Sequence, residues 1–305
     1  MNLQTWIYRF SSDCIFFQVQ SVFYLKKTFC KRISFLLLFT LSGCCSNFSG
    51  PHQQISYVGA TNNIEELQDL QPPQFYVQEG QFSYNAIGTP EIIEKDGKPK
   101  ARVNHSAATL YFEENHFSTD KGTYTNQIYR LHFPKVPFGM CHLNITAGKN
   151  PGLLIIYTLN AQEKTVLITT VHTCGCYLAF FPTNNLAKDM IPDNWPESIQ
   201  SVYGYKLPSI VTSETETKSS YIFALADETH RISDVWTTPT QPPGFAVVKD
   251  MTLQPMAGLY KLPYKNGIES FFETEGTRIG YVKNNSKPLE RLLISWWAFD
   301  WHVGE

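Results

Sequence analysis

The sequence predicts a β-rich α+β fold: a mainly antiparallel sheet with a central hairpin near residues 153–174 and a C-terminal amphipathic helix. Three observations predict it. Leu153–Leu159 is a continuous apolar run of strand length, and Thr165–Cys174 returns after the turn residues Asn160–Lys164. Short β-branched and aromatic runs alternate with Asp-Gly and Asn-Gly turn signals through most of the chain. Near the end, Leu289, Leu292, Leu293, Trp296 and Trp297 recur at helical spacing behind Pro288, a residue favoured in a first helical turn.

Taken in order, residues 45–74 read as a polar tether. It opens on Ser46, Asn47 and Ser49, ends at Gln71-Pro72-Pro73-Gln74, and carries a brief helix at Ile64–Leu70. A single globular domain is expected over 75–305. Its first hairpin turns at Asp96-Gly97, and a second turns at Asp120-Lys121-Gly122 between Ala107–Phe112 and Thr123–Phe133. Pro182–Ser219 is loop-rich, with a short helix expected around Pro196–Val202. Strands are expected near Tyr221–Leu225 and Phe245–Val248, and Asn266-Gly267 marks a further hairpin.

Before all of this stands Lys26–Cys44. Lys26, Lys27, Lys31 and Arg32 form a basic cluster, Ile33–Leu41 is an apolar run broken only by Ser34 and Thr40, and Leu41-Ser42-Gly43-Cys44 closes the segment. Basic, apolar, small is the order of a secretory signal. The apolar run is shorter than the ~20 residues that cross a bilayer. This stretch resembles the signal peptides of bacterial lipoproteins, whose lipobox is a branched apolar residue, two small residues and Cys. The resemblance covers only this segment. It implies that residues 1–43 are removed, that Cys44 is lipidated, and that the mature protein is anchored to the cell envelope. Cys45 rather than Asp follows Cys44, which in that family favours the outer membrane over the inner. The distance of the basic cluster from Met1 points to a translation start near Val22 or Leu25.

Charge narrows the function classes. Residues 1–43 hold five of the 25 basic and one of the 27 acidic residues, so the remainder carries a net charge of −6. Such a chain lacks the basic face of a nucleic-acid binder. It also has no polybasic attraction to anionic lipid, so the lipid anchor alone must hold it at the membrane.

The residues most suited to chemistry are His172-Thr173-Cys174-Gly175-Cys176. In a continued strand His172, Cys174 and Cys176 share one face. Imidazole and thiolate together suit Zn or Cu(I). At about 3.3 Å per residue, His172 and Cys176 would lie roughly 13 Å apart along such a strand. One metal therefore needs a bend at Gly175, or ligands from Cys141 and His142. Alternatives stay open: a strained Cys174–Cys176 bridge, a structural disulfide to Cys141, or plain packing.

Asp227-Glu228-Thr229-His230 is either an acid–base pair or a solvated turn. Trp296, Trp297 and Trp301 bury a terminal helix or present rings to a glycan or protein partner. No GxSxG, HExxH or dinucleotide fingerprint occurs. The leading expectation is a non-catalytic binding or assembly module. The alternative is a metal-binding or thiol-redox protein built on the His172–Cys176 stretch.

Overall fold

The computed structural model describes residues 53–61, 72–138, 146–212, 220–237, 246–276 and 279–284. Ten strands form one large sheet. They are β1 (Ile55–Thr61), β2 (Gln74–Val77), β5 (Thr109–Thr119), β6 (Gly122–His132), β9 (Gly152–Leu159), β10 (Thr165–His172), β11 (Ala179–Pro182), β14 (Tyr221–Leu225), β15 (Ile232–Thr237) and β16 (Val247–Pro255). Their spatial order is β11-β10-β9-β6-β5-β16-β1-β2-β14-β15. Two-stranded pairs supplement it: β3 (Thr89–Lys95) with β4 (Lys98–Asn104), β7 (Lys135–Val136) with β8 (Gly148–Lys149), β12 (Ile199–Val202) with β13 (Tyr205–Pro208), and β17 (Leu262–Tyr264) with β18 (Gly267–Glu269).

The sheet curls on itself. Tyr157 of β9 packs against Tyr221 and Phe223 of β14, with ring centroids 5.2 and 6.5 Å apart, although β6, β5, β16, β1 and β2 lie between them in strand order. The β12–β13 hairpin lies against β15, and just beyond it Val211 N–H donates to the Pro182 carbonyl at the end of β11, 2.9 Å away. One excursion of the chain thus touches both outer strands of the sheet.

Strand alternation sorts the apolar residues into two main cores and a small third cluster of Tyr76, Ile222 and Ala224. In β5, Leu110 and Phe112 face the interior of the curl with Tyr129, Ile155, Tyr157 and Phe223. Tyr111 between them faces outward into a second cluster with Val103, Leu259, Phe271, Phe272 and Val282. That second layer covers the outside of the sheet with β3–β4 and the segment after β16.

Several expectations hold. The hairpin at Asp96-Gly97 forms with φ 56° and 74°, the two positive values that a tight I′ turn requires. β5 and β6 are joined across Asp120-Lys121, and β9 and β10 across Asn160–Lys164. In the latter turn Asn160 Oδ1 accepts from the amides of Gln162 and Lys164, each at 3.0 Å.

Other expectations are corrected. The fold is not α+β: among the described residues the helical segments are two 3-10 turns, Lys188–Met190 and Met256–Tyr260, and no helix is long and apolar enough to cross a membrane. The C-terminal amphipathic helix and the helix at Ile64–Leu70 fall outside the described residues. The sheet is mixed: β1 with β16, β16 with β5, and β2 with β14 run parallel, while the other six neighbouring pairs are antiparallel. The 153–174 hairpin is not central; only β11 lies beyond it. The helix expected around Pro196–Val202 is β12, turned back onto β13 at Tyr203-Gly204, whose φ values are 48° and 93°. Residues 55–61 of the expected tether form β1, between β16 and β2, with Ile55 and Tyr57 in the core. The folded unit therefore reaches back to Ile55 instead of starting at Phe75.

β5 is longer than the strand beside it. Pro255, which has no N–H to continue a ladder, pairs with Phe112, and the ladder between β16 and β5 ends there. Among the described residues Glu113–Thr119 go on paired with β6 alone, and all seven are exposed. Phe117 and Tyr124 stack across that hairpin at 5.5 Å.

Candidate functional site

β10 stops at His172. The amide of Gly175 donates to the His172 carbonyl at 2.7 Å, and the amide of His172 donates to the Cys176 carbonyl at 2.9 Å. Gly175 takes φ 78°, a value glycine adopts without steric cost. The chain doubles back over five residues, so His172, Cys174 and Cys176 do not form one row on a strand face.

Each side chain of the motif has a local setting. The buried His172 donates Nε2–H to the His230 carbonyl at 3.1 Å, and its ring meets Tyr177 edge-on at 4.8 Å. This ties the end of β10 to the turn before β15. Thr173 is clamped to β9: its amide donates to the Gly152 carbonyl at 3.0 Å, and its hydroxyl accepts from the Gly152 amide at 3.1 Å. Cys174 and Cys176 are half-buried, with Cys176 Sγ 3.9 Å from the Cys174 carbonyl. Among the described residues these two cysteines form no bridge with each other. Nor do three or more His, Cys, Asp or Glu side chains come together to hold a metal. Cys44, Cys141, His142, Trp296, Trp297 and Trp301 all lie outside the described residues.

Beside the motif the fold builds a cluster that the sequence does not announce. Arg231 lays its guanidinium 4.1 Å from the Tyr177 ring centroid, donates to the Tyr177 hydroxyl at 2.8 Å, and reaches the Tyr203 carbonyl at 3.4 Å. Tyr203 meets Tyr177 edge-on at 5.1 Å. The cavity left among these residues is about 10 Å³, room for about one water molecule. Arg231 comes from the turn before β15, Tyr203 from the β12–β13 turn and Tyr177 from the segment before β11. The cluster ties these three segments together.

The acid–base reading of Asp227–His230 is answered by burial. His230 is fully buried and stacked on Phe133 at 3.8 Å, and it donates Nε2–H to the Tyr84 carbonyl at 2.9 Å. Burial lowers its pKa to about 3, so the ring is neutral and holds the turn. The turn is also pinned by the fully buried Asn85. Asn85 donates to the Gln78 and Glu79 carbonyls and to Asp227 Oδ1, at 3.2, 3.0 and 2.6 Å, and it accepts the Glu228 amide at 3.0 Å.

A second buried polar group lies inside the sheet. Arg130 is 2% exposed, and its guanidinium sits 4.7 Å from the Phe272 ring centroid. Sequence spacing alone marks it as an ordinary strand residue. Its partner His132 leads on to Asn150, whose amide donates to the Ala101 and Lys283 carbonyls at 3.0 and 3.3 Å.

The sequence-predicted motif is thus a folded corner, and its histidine is spent on structure. Beside it two half-buried thiols sit on a tight turn. No family model, curated protein or solved structure matches the chain.

Proposed function

We propose that the protein is a lipid-anchored component of a bacterial cell envelope, held through Cys44, that works as a non-catalytic binding or assembly module. Outer membrane is favoured over inner by the residue after Cys44. The envelope assignment rests on the basic–apolar–LSGC segment. The binding assignment is carried by one observation, the open edge of β5 from Glu113 to Thr119. A strand edge that has no second neighbour among the described residues, and whose alternate backbone groups point outward, is a template for an added strand. The partner is an extended segment of another envelope protein. Glycan contact through Trp296, Trp297 and Trp301 belongs to the same proposal.

The test has two arms in bacteria expressing the full chain. Metabolic labelling with an alkyne fatty acid should mark the wild type and not Cys44→Ser, and the label should fractionate with the outer membrane. A photo-crosslinker at Ser118 should capture a specific envelope protein. Labelling that survives Cys44→Ser, or no labelling at all, removes the anchor. No capture at Ser118 removes the edge as the binding surface.

A further inference from the structure

β16 and β5 are joined only from Thr252 onward. β5 itself begins at Thr109, and residues 105–108, which lead into it, leave a gap beside Lys249 and Asp250 of β16. The gap is a cleft of about 240 Å³, bounded by Tyr57, Ile87, His105, Ser106, Lys249 and Asp250. Tyr57 of β1 and Lys249 of β16 are paired in the ladder, so both side chains stand on the same face. Lys249 Nζ lies 6.0 Å from the Tyr57 ring centroid.

Two polar groups here are left unspent. Tyr57 is 1% exposed, and among the described residues its hydroxyl proton meets no acceptor. The Ile87 backbone interacts with the phenol oxygen, but burial dominates and raises the pKa to about 12. The hydroxyl therefore keeps its proton, and that proton meets no acceptor. A buried hydroxyl proton without an acceptor is costly, and one facing a cleft is a donor waiting for a ligand. Lys249 is the second group: no described carboxylate pairs with it. Asp250 follows it in the strand, and alternation sends that carboxylate to the opposite face.

We propose that this cleft binds a small oxyanion, a carboxylate or a phosphate, held between the Lys249 ammonium and the Tyr57 hydroxyl. One charged and one neutral donor line the same cleft, and the inner residue is shielded from water. That arrangement recognises a negatively charged oxygen. His105 and Ser106 stand at the rim and contact whatever the anion is attached to. The proposal is independent of the envelope reading, because it needs neither the anchor nor the β5 edge.

The experiment is a calorimetric titration of the full chain in detergent, with propionate and with inorganic phosphate at constant ionic strength. One of the two should bind with one-to-one stoichiometry, and which one identifies the oxyanion. Lys249→Met should abolish the heat. Tyr57→Phe should weaken binding by at least about tenfold while leaving the fold intact and Tm lowered only slightly, since the lost hydroxyl gives up the Ile87 backbone contact alone. A nearly retained Tm with lost affinity separates recognition from misfolding. No binding of either anion up to about 10 mM, or equal binding by wild type and Tyr57→Phe, overturns the proposal.

Discussion

Arg130 donates Nε–H to His132 Nε2 across 2.9 Å, from two positions away on the same strand. A guanidinium has donors only, so His132 must present a bare Nε2 and carry its proton on Nδ1. That proton points at the Asn150 carbonyl, 3.4 Å away. The imidazole is thus fixed in one tautomer and kept neutral. Burial first, and the Arg130 charge second, hold its pKa well below the usual histidine value.

Stability should therefore fall as the solution is acidified. His132 and His230 both have folded-state pKa values below the unfolded one. Below pH ~6.5 the unfolded chain takes up protons that the folded one refuses. For His230, whose folded pKa is about 3, the loss between pH 7 and pH 5 is about 2 kcal/mol. His132 adds a loss of the same sign. Urea unfolding at the two pH values checks this; equal stability at both would contradict the buried neutral state.

Gly152→Ala should destabilise by roughly 1–3 kcal/mol. A Cβ there would sit 2.7 Å from both His132 Cε1 and Thr173 Cγ2. The clamp between β9 and Thr173 and the Arg130–His132 pair meet at this point, so neither neighbour yields alone. The midpoint in urea should drop with an unchanged slope.

Asn85→Ala should cost about 3 kcal/mol or more, because one side chain serves three acceptors and one donor in a buried setting. Asp227→Asn should cost less, since it leaves the Gln78, Glu79 and Glu228 contacts intact. Comparing the two by thermal unfolding shows whether the turn is held by the amide or by the carboxylate.

Phe117→Lys should abolish capture of a partner at the β5 edge and leave the fold in place. A lysine on an exposed edge discourages strand addition. Phe117 is already 39% exposed, and its main contact is the Tyr124 stack. The stability change should stay within about 1 kcal/mol. Retained crosslinking from Ser118 in this variant would dismiss edge pairing.

Local chemistry was legible in the sequence, and long-range pairing was not. Asp96-Gly97 and Asn160–Lys164 are turns because their own side chains and φ preferences make them so. β9 announces itself through an unbroken apolar run. β1 does not, because ISYVGAT is short, sits among polar residues and is buried by strands distant in sequence. Nothing near Val247–Pro255 tells that it will lie parallel to β1 and β5. Tyr203-Gly204 closes a hairpin, and the apolar spacing before it resembled a helix. In the candidate site, glycine's freedom at position 175 was visible, and the doubled-back corner follows from it. That His172 would be occupied by the His230 carbonyl depends on a residue 58 positions away. Arg130 gave no sign of burial, because its setting is made by Phe272 and Asn150 on other elements.

The position of β16 dictates when this sheet can exist. It is wedged between β5 and β1, and it comes from the last quarter of the chain. Until residues 247–255 are delivered there are two unconnected sheets, β11-β10-β9-β6-β5 and β1-β2-β14-β15. A chain emerging from its N-terminus cannot join them early, however well each hairpin forms by itself. Folding is therefore governed by closure over long sequence distances, which is slow. Until then the facing edges of β5 and β1 stand open.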